Sequence, residues 1–165
     1  MAIILATNPL ARALYTDFEA LPRRERNMAR YIFLDEGARD LYADWAGVAR
    51  TSVAALRQYA GRHPHDPRLA ELVGELSARD PDFRTWWADH DIARRTYGRK
   101  TFHHPLVGDL TLDYEALAVT GDPDQTLGIY TAEPGTPSDQ ALRLLTTLTS
   151  PSLRKRAGPE TPRVI

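Results

Sequence analysis

Apolar residues along this chain recur first at helical and then at alternating spacing. The opening run Ile3, Ile4, Leu5 predicts a short strand, since branched side chains suit a pleated, half-buried surface. Asn8 and Pro9 then predict a helix start: the Asn side chain can cap free N–H groups, and Pro fits the first helical position. "LPRRERNMARYIF" places Pro22 at a second start, with Met28, Ile32 and Phe33 along one side. From Leu41 the positions Trp45, Val48, Ser52, Leu56 and Tyr59 fall three or four apart and predict one long helix that ends at Gly61. Pro64 and Pro67 make "HPHDP" a loop. Leu69, Leu72, Val73 and Leu76 resume the helical period. Asp80 and Pro81 begin a further helix, with Phe83, Trp86, Trp87 and His90 on its core side.

After Gly98 the period shortens to two. "RKTFHH", "DLTLDYEALAV" and "TLGIYTA" predict three strands joined through "PLVG" and "TGDPDQ", an antiparallel meander. In the middle strand Leu110, Leu112, Tyr114 and Ala116 share one face, and Thr111, Asp113 and Glu115 the other, so one side should be buried and one wetter. Thr136, Pro137 and Asp139 predict the start of a closing helix. Residues 150–165 have too little apolar content to order themselves, so the expected domain is 1–149 with a disordered tail.

A lone N-terminal strand needs partners for its backbone groups, and the edge of the later meander offers them. The expected fold is therefore α+β: a small antiparallel sheet of the N-terminal strand plus the meander, with several helices on one face. Such a helix–sheet interface is a natural place for a buried small-molecule cavity.

Composition narrows the function. At 165 residues the chain can bury a core without staples, and having no cysteine it lacks disulfides, thiolate catalysis and cysteine-ligated zinc. No apolar stretch is long enough to span a membrane, and Ile3 to Ala6 is too short for a signal peptide, which makes the cytoplasm the expected compartment. A formal net charge of −1 gives no general attraction to nucleic acid. Arginine dominates the cations, Lys100 and Lys155 being the only lysines, as coding bias would produce.

Familiar catalytic motifs are absent: no G-x-S-x-G, P-loop, G-x-G-x-x-G or H-E-x-x-H occurs. His63, His65 and Asp66 read as a plain loop, since Pro64 separates the histidines and no further ligand has metal-site spacing. His103 and His104 are adjacent on a strand and point to opposite faces. Asp113 and Glu115 lie on the wetter face, which favours solvated carboxylates over a tuned acid/base pair. Catalytic residues, metal ligands and a cofactor are accordingly not expected. Arg94, Arg95, Arg99 and Lys100, with His103 and His104 behind them, stand out as an ordinary charged turn or as a clamp for an anion at a pocket mouth.

"NPLARALYTDF", "ERN", "FLDEGARDLYADW", "AGRHPHDPRLAELVGELS", "FRTWWADHD", "FHHPLVGDLTLDYEAL" and "IYTAEPGTPSDQALRLL", in that order from about Ile3 to Leu148, resemble the ligand-binding domain of MmyB-like transcription regulators, bacterial helix-turn-helix proteins of the XRE type. The resemblance implies a PAS-like fold with an apolar pocket and a fatty acid among its ligands. It also implies a DNA-binding domain placed before this one and not part of this chain. Asn8, Arg26, Asn27, Trp45, His90, Lys100, His104, Pro105 and Gly108 match the family's landmarks. Thr16 stands where members often have Pro, and Thr101 and His103 where basic residues are common.

Together these readings predict a sensor. An acyl chain would sit among Phe18, Phe33, Trp45, Leu56, Trp86, Tyr114 and Tyr130, its carboxylate near Arg95, Lys100 or His104. Burying about ten methylenes at about 0.8 kcal/mol each contributes roughly 8 kcal/mol before ordering costs. The expected partners are a fatty acid or other hydrophobic small molecule, a second copy in a homodimer, and DNA only through the other domain, with no membrane. Two rivals are a dimerisation module without a ligand and a small hydrolase acting on acyl substrates.

Overall fold

Short polar side chains placed just before proline or small residues set most helix starts. The structure, a computed structural model, describes residues 3–89 and 97–149. Asn8 accepts from Ala11 N at 2.7 Å and opens α1 (Pro9–Leu14). Asp44 accepts from Gly47 N and opens α4 (Trp45–Arg62), which follows α2 (Met28–Leu34) and α3 (Glu36–Leu41). Asp66 and Asp80 do the same for α5 (Pro67–Arg79) and α6 (Pro81–Ala88), each with Pro at the first position.

Pro22 does not start a helix. It leads into a single 3₁₀ turn, Arg23–Glu25, and α2 begins only where buried Asn27 accepts from both Ala29 N and Arg30 N. Nor does the long helix begin at Leu41. That residue ends α3, and Tyr42 follows in extended form, with a turn at Ala43 and Asp44 before α4 starts. The period alone could not separate the two helices, because Leu41 and Trp45 are spaced as they would be within one.

The sheet is a meander of β1 (Tyr97–His104), β2 (Gly108–Val119) and β3 (Asp122–Thr131), all antiparallel in the order β1-β2-β3. The second connection is tighter than expected, since β3 starts at Asp122 and not at Thr126. Gly108, at φ +77°, occupies the backbone region that glycine tolerates best where the first turn enters β2. Burial follows the expected alternation: Leu110 and Leu112 are fully buried beside Phe102. The opposite face carries the pairs Arg99–Asp113 at 3.0 Å, Thr101–Thr111 at 3.2 Å and His103–Asp109 at 2.7 Å.

The N-terminal strand does not join this sheet. Ile3 makes an isolated bridge to Asn27, and Ile4 N donates to Arg26 O at 2.7 Å, so the segment lies against the approach to α2. The free edge of β1 is closed by Tyr42, which bridges to Phe102, and by Ala43 N, which donates to Thr101 O at 3.0 Å. Helix α7 (Pro137–Thr149), capped by Thr136, packs on β2 and α1 and buries Leu145. Its Ser138 Oγ takes Thr111 N at 2.9 Å where β3 has ended. The domain is α+β, with helices packed around a three-stranded antiparallel sheet. The tail expected to be disordered, 150–165, lies outside the described residues.

Candidate functional site

Strand alternation puts Lys100, Phe102 and His104 of β1 on the face that carries Leu110, Leu112 and Tyr114 of β2. Tyr130 of β3 lies opposite Tyr114 on that face. Lys100 thereby points into an aromatic box. Its Nζ is 3.0 Å from Tyr130 Oη and 4.0 Å from the centroid of the Tyr114 ring, over which it lies as a cation on a π face. Among the described residues no carboxylate comes within ion-pair distance of it. Burial pushes its pKa down to about 8, because an ammonium taken from water without a counter-ion is disfavoured.

The box is closed by residues from the helical half. Tyr15, just past α1, packs its ring on Phe102 and Tyr130 at about 6 Å between centroids and on Tyr31 and Tyr42. Its hydroxyl faces those of Tyr42 and Tyr130 yet is buried with no hydrogen bond of acceptable geometry. Burial raises the pKa of Tyr15, Tyr42 and Tyr130, so all three stay neutral hydroxyls at physiological pH. One ammonium, an unused O–H donor and apolar walls make a site suited to the oxygen end of an amphipathic molecule.

The other residues expected at a pocket are distributed differently. Phe33, Trp45 and Trp86 do meet, with ring centroids 5.8 to 6.3 Å apart, but in a separate cluster with Phe83 between α2, α4 and α6. Trp45 Nε1 donates to Ile32 O at 2.8 Å, and Arg39 stacks on its ring at 3.6 Å, contacts that hold helices together. Leu56 lies in the core, and Phe18 is buried against Tyr31. Of the expected anion clamp, Arg95 lies outside the described residues. His104 is committed elsewhere: Nδ1 accepts from Leu106 N, leaving Nε2 to donate to Ala13 O at 2.9 Å. Arg99 is exposed and paired with Asp113. Tyr114, Tyr130 and Lys100 are thus the expected residues that the fold brings together.

A groove of about 970 Å³ lies elsewhere, between the N-terminal segment, α2 and α5, with no sheet residue in its walls. Phe18, Leu21, Tyr31 and Leu72 give it an apolar floor, and Arg23, Arg68 and Glu71 line its rim. The helix–sheet interface, where the sequence predicts a hollow, is instead filled by Tyr15, Tyr42, Phe102 and Tyr130. The sequence reading missed Tyr15, Tyr42 and Phe102 as site residues. Alternation with Lys100 and His104 could have found Phe102, whereas Tyr15 and Tyr42 arrive from chain-distant turns.

Helices over a small antiparallel sheet, with a cationic polar centre at their interface, are the build of a domain that receives a small molecule. The chain belongs to the MmyB-like transcription regulator ligand binding domain family, whose model matches residues 3–145. No curated protein matches it. Among the described residues no helix is long and apolar enough to cross a membrane.

Proposed function

We propose that this chain is the effector-sensing domain of a cytoplasmic bacterial transcription regulator, not an enzyme, and that its effector is a fatty acid or similar amphipathic carboxylate. The observation that carries the reading is the Lys100 ammonium, held inside the domain with no carboxylate within ion-pair distance among the described residues. A ligand carboxylate supplies the missing counter-charge and an acceptor for the Tyr15 hydroxyl, and its tail runs along the half-buried rings of Tyr114 and Tyr130. The ligand must displace part of the tyrosine packing. That gives it different contacts in two arrangements of the domain, the condition for transmitting a signal to a DNA-binding domain outside this chain.

Native mass spectrometry of the purified protein, followed by titration with dodecanoate, tests this. The expected result is one dodecanoate per chain and about tenfold or greater weakening in Lys100→Met, the scale of losing a charge-assisted contact. Equal affinity in both proteins, or no binding by the wild type, overturns it. A second reading, self-association as a homodimer, is favoured by Leu117, Val119 and Leu127, which stand exposed on the β2–β3 hairpin. Sedimentation equilibrium of the wild type and of Leu127→Glu distinguishes the two.

A further inference from the structure

Lys100 stands out for what it is as well as for where it is. Cations in this chain are arginines except at Lys100 and Lys155, so the one cation in the aromatic box is of the rare kind. For stacking on a ring or gripping a carboxylate, a guanidinium serves at least as well as an ammonium. What arginine cannot do is give up its proton and present a lone pair. Lys100 is placed to do so. Its nitrogen has a hydroxyl at 3.0 Å, no acid among the described residues to hold its proton, and neighbouring tyrosines that are neutral.

We propose that Lys100 is a carbonyl-capturing site whose amine condenses with an aliphatic aldehyde to form an imine, with Tyr130 as the proton donor that expels water. The nitrogen lone pair attacks the carbonyl carbon. A C–N bond forms, the C=O π pair moves to oxygen, and the proton lost by nitrogen is taken up there to give a carbinolamine. Tyr130 Oη then donates to that hydroxyl, which leaves as water while the nitrogen lone pair closes the C=N bond. The N–H proton released in that step restores the Tyr130 hydroxyl. One water is released and nothing is oxidised or reduced. The buried Tyr15 O–H, with no hydrogen bond of acceptable geometry among the described residues, is available to the carbinolamine oxygen. Apolar rings around the nitrogen slow the return of water to the imine. Lys100, Tyr114 and Tyr130 each keep part of their surface open, so the box is reachable from solvent. With its pKa near 8, Lys100 has about half of its amine unprotonated at pH 8.

The inference concerns the same site as the sensing reading but asks it to hold a different head group, so the two can fail separately. The test is incubation of the full chain with dodecanal, hydride trapping with borohydride, and peptide mass analysis for an adduct equal to the aldehyde less one oxygen. Lys155 and the N-terminal amine are internal controls. The expected result is trapping at Lys100 about tenfold or more faster than at either control, with that preference lost in urea. Tyr130→Phe should slow trapping by about tenfold or more, as loss of a general acid does. Prior saturation with dodecanoate should protect Lys100. Lys100→Arg should lose the adduct, since a guanidinium presents no free lone pair. Trapping no faster at Lys100 than at Lys155, with dodecanoate still bound, overturns the capture and leaves the carboxylate reading standing. Absence of both removes both.

Discussion

Tyr42 and Phe102 form an antiparallel bridge, and through it two residues between α3 and α4 seal the edge of β1. Beside that bridge Ala43 N donates to Thr101 O at 3.0 Å, which makes Ala43→Pro a selective probe. Proline removes the donor, and Tyr42, at φ −91° and ψ 122°, already has the extended conformation that a residue before proline prefers. The expected cost is about 1–2 kcal/mol, from an acceptor left unpaired, read by urea denaturation. Because Tyr42 also closes the Lys100 box, dodecanoate affinity should change as well. An unaltered midpoint would show that the edge contact contributes nothing.

That bridge also explains where sequence reasoning stopped. The meander, its buried face, the caps at Asn8, Asp80 and Thr136, and the α+β class were all legible, because each depends on residues within a few positions of one another. Which segment closes the β1 edge was not. Ile3 to Leu5 is the more strand-like stretch, yet Tyr42 and Ala43 take the edge because α3 and α4 carry them there, while Ile3 bridges to Asn27 and Ile4 N donates to Arg26 O. The site divides the same way. Lys100, Tyr114 and Tyr130 were readable from strand alternation, whereas Tyr15 and Tyr42 reach the box by tertiary packing. Phe33, Trp45 and Trp86, expected along an acyl chain, do touch one another, but in a cluster whose partners are helices and arginines.

Asn27 does two jobs: its side chain caps α2, and its backbone anchors the first residues through the bridge to Ile3. Its Oδ1 accepts from Ala29 N at 2.9 Å and Arg30 N at 3.1 Å in a buried setting. Asn27→Ala should therefore cost about 2 kcal/mol, at the upper end for a cap, and Asn27→Ser about half of that, since serine keeps an acceptor. Thermal unfolding of both variants checks the order, and a serine variant as unstable as alanine would show that capping is not the main role.

Asp80 is the buried acid that ties α3 to α6. One oxygen accepts from Phe83 N at 2.7 Å as the cap of α6, and the other takes Arg39 Nη2 at 2.7 Å, while that guanidinium also lies on Trp45. Asp80→Ala removes the cap, leaves the Phe83 N–H without its acceptor and strips one of the two carboxylates from Arg39, which keeps Asp82 at 3.3 Å, an expected loss of about 2 kcal/mol. Asp80→Asn keeps the cap and should lose about half as much. Comparable losses in the two variants, measured by denaturant titration, would assign the whole effect to the ion pair.

Lys100 gives the domain a pH dependence with a definite sign. Its folded pKa, about 8, lies below the ordinary lysine value of 10.5, so the unfolded chain binds the proton more tightly. Stability should accordingly rise with pH from about 8, by up to a few kcal/mol in total. Near pH 10 the trend reverses, because tyrosines that are held neutral in the fold ionise once unfolded. Lys100→Met should be more stable than the wild type at pH 7, and its stability should not rise between pH 8 and 10. Carboxylate binding has the opposite slope: as the ammonium loses its proton above pH 8, dodecanoate affinity should fall by about tenfold per pH unit, whereas Lys100→Arg should bind evenly across that range. Isothermal titration at pH 7 and pH 9.5 checks both proteins. A wild-type affinity that does not move with pH would place the carboxylate somewhere other than at this ammonium.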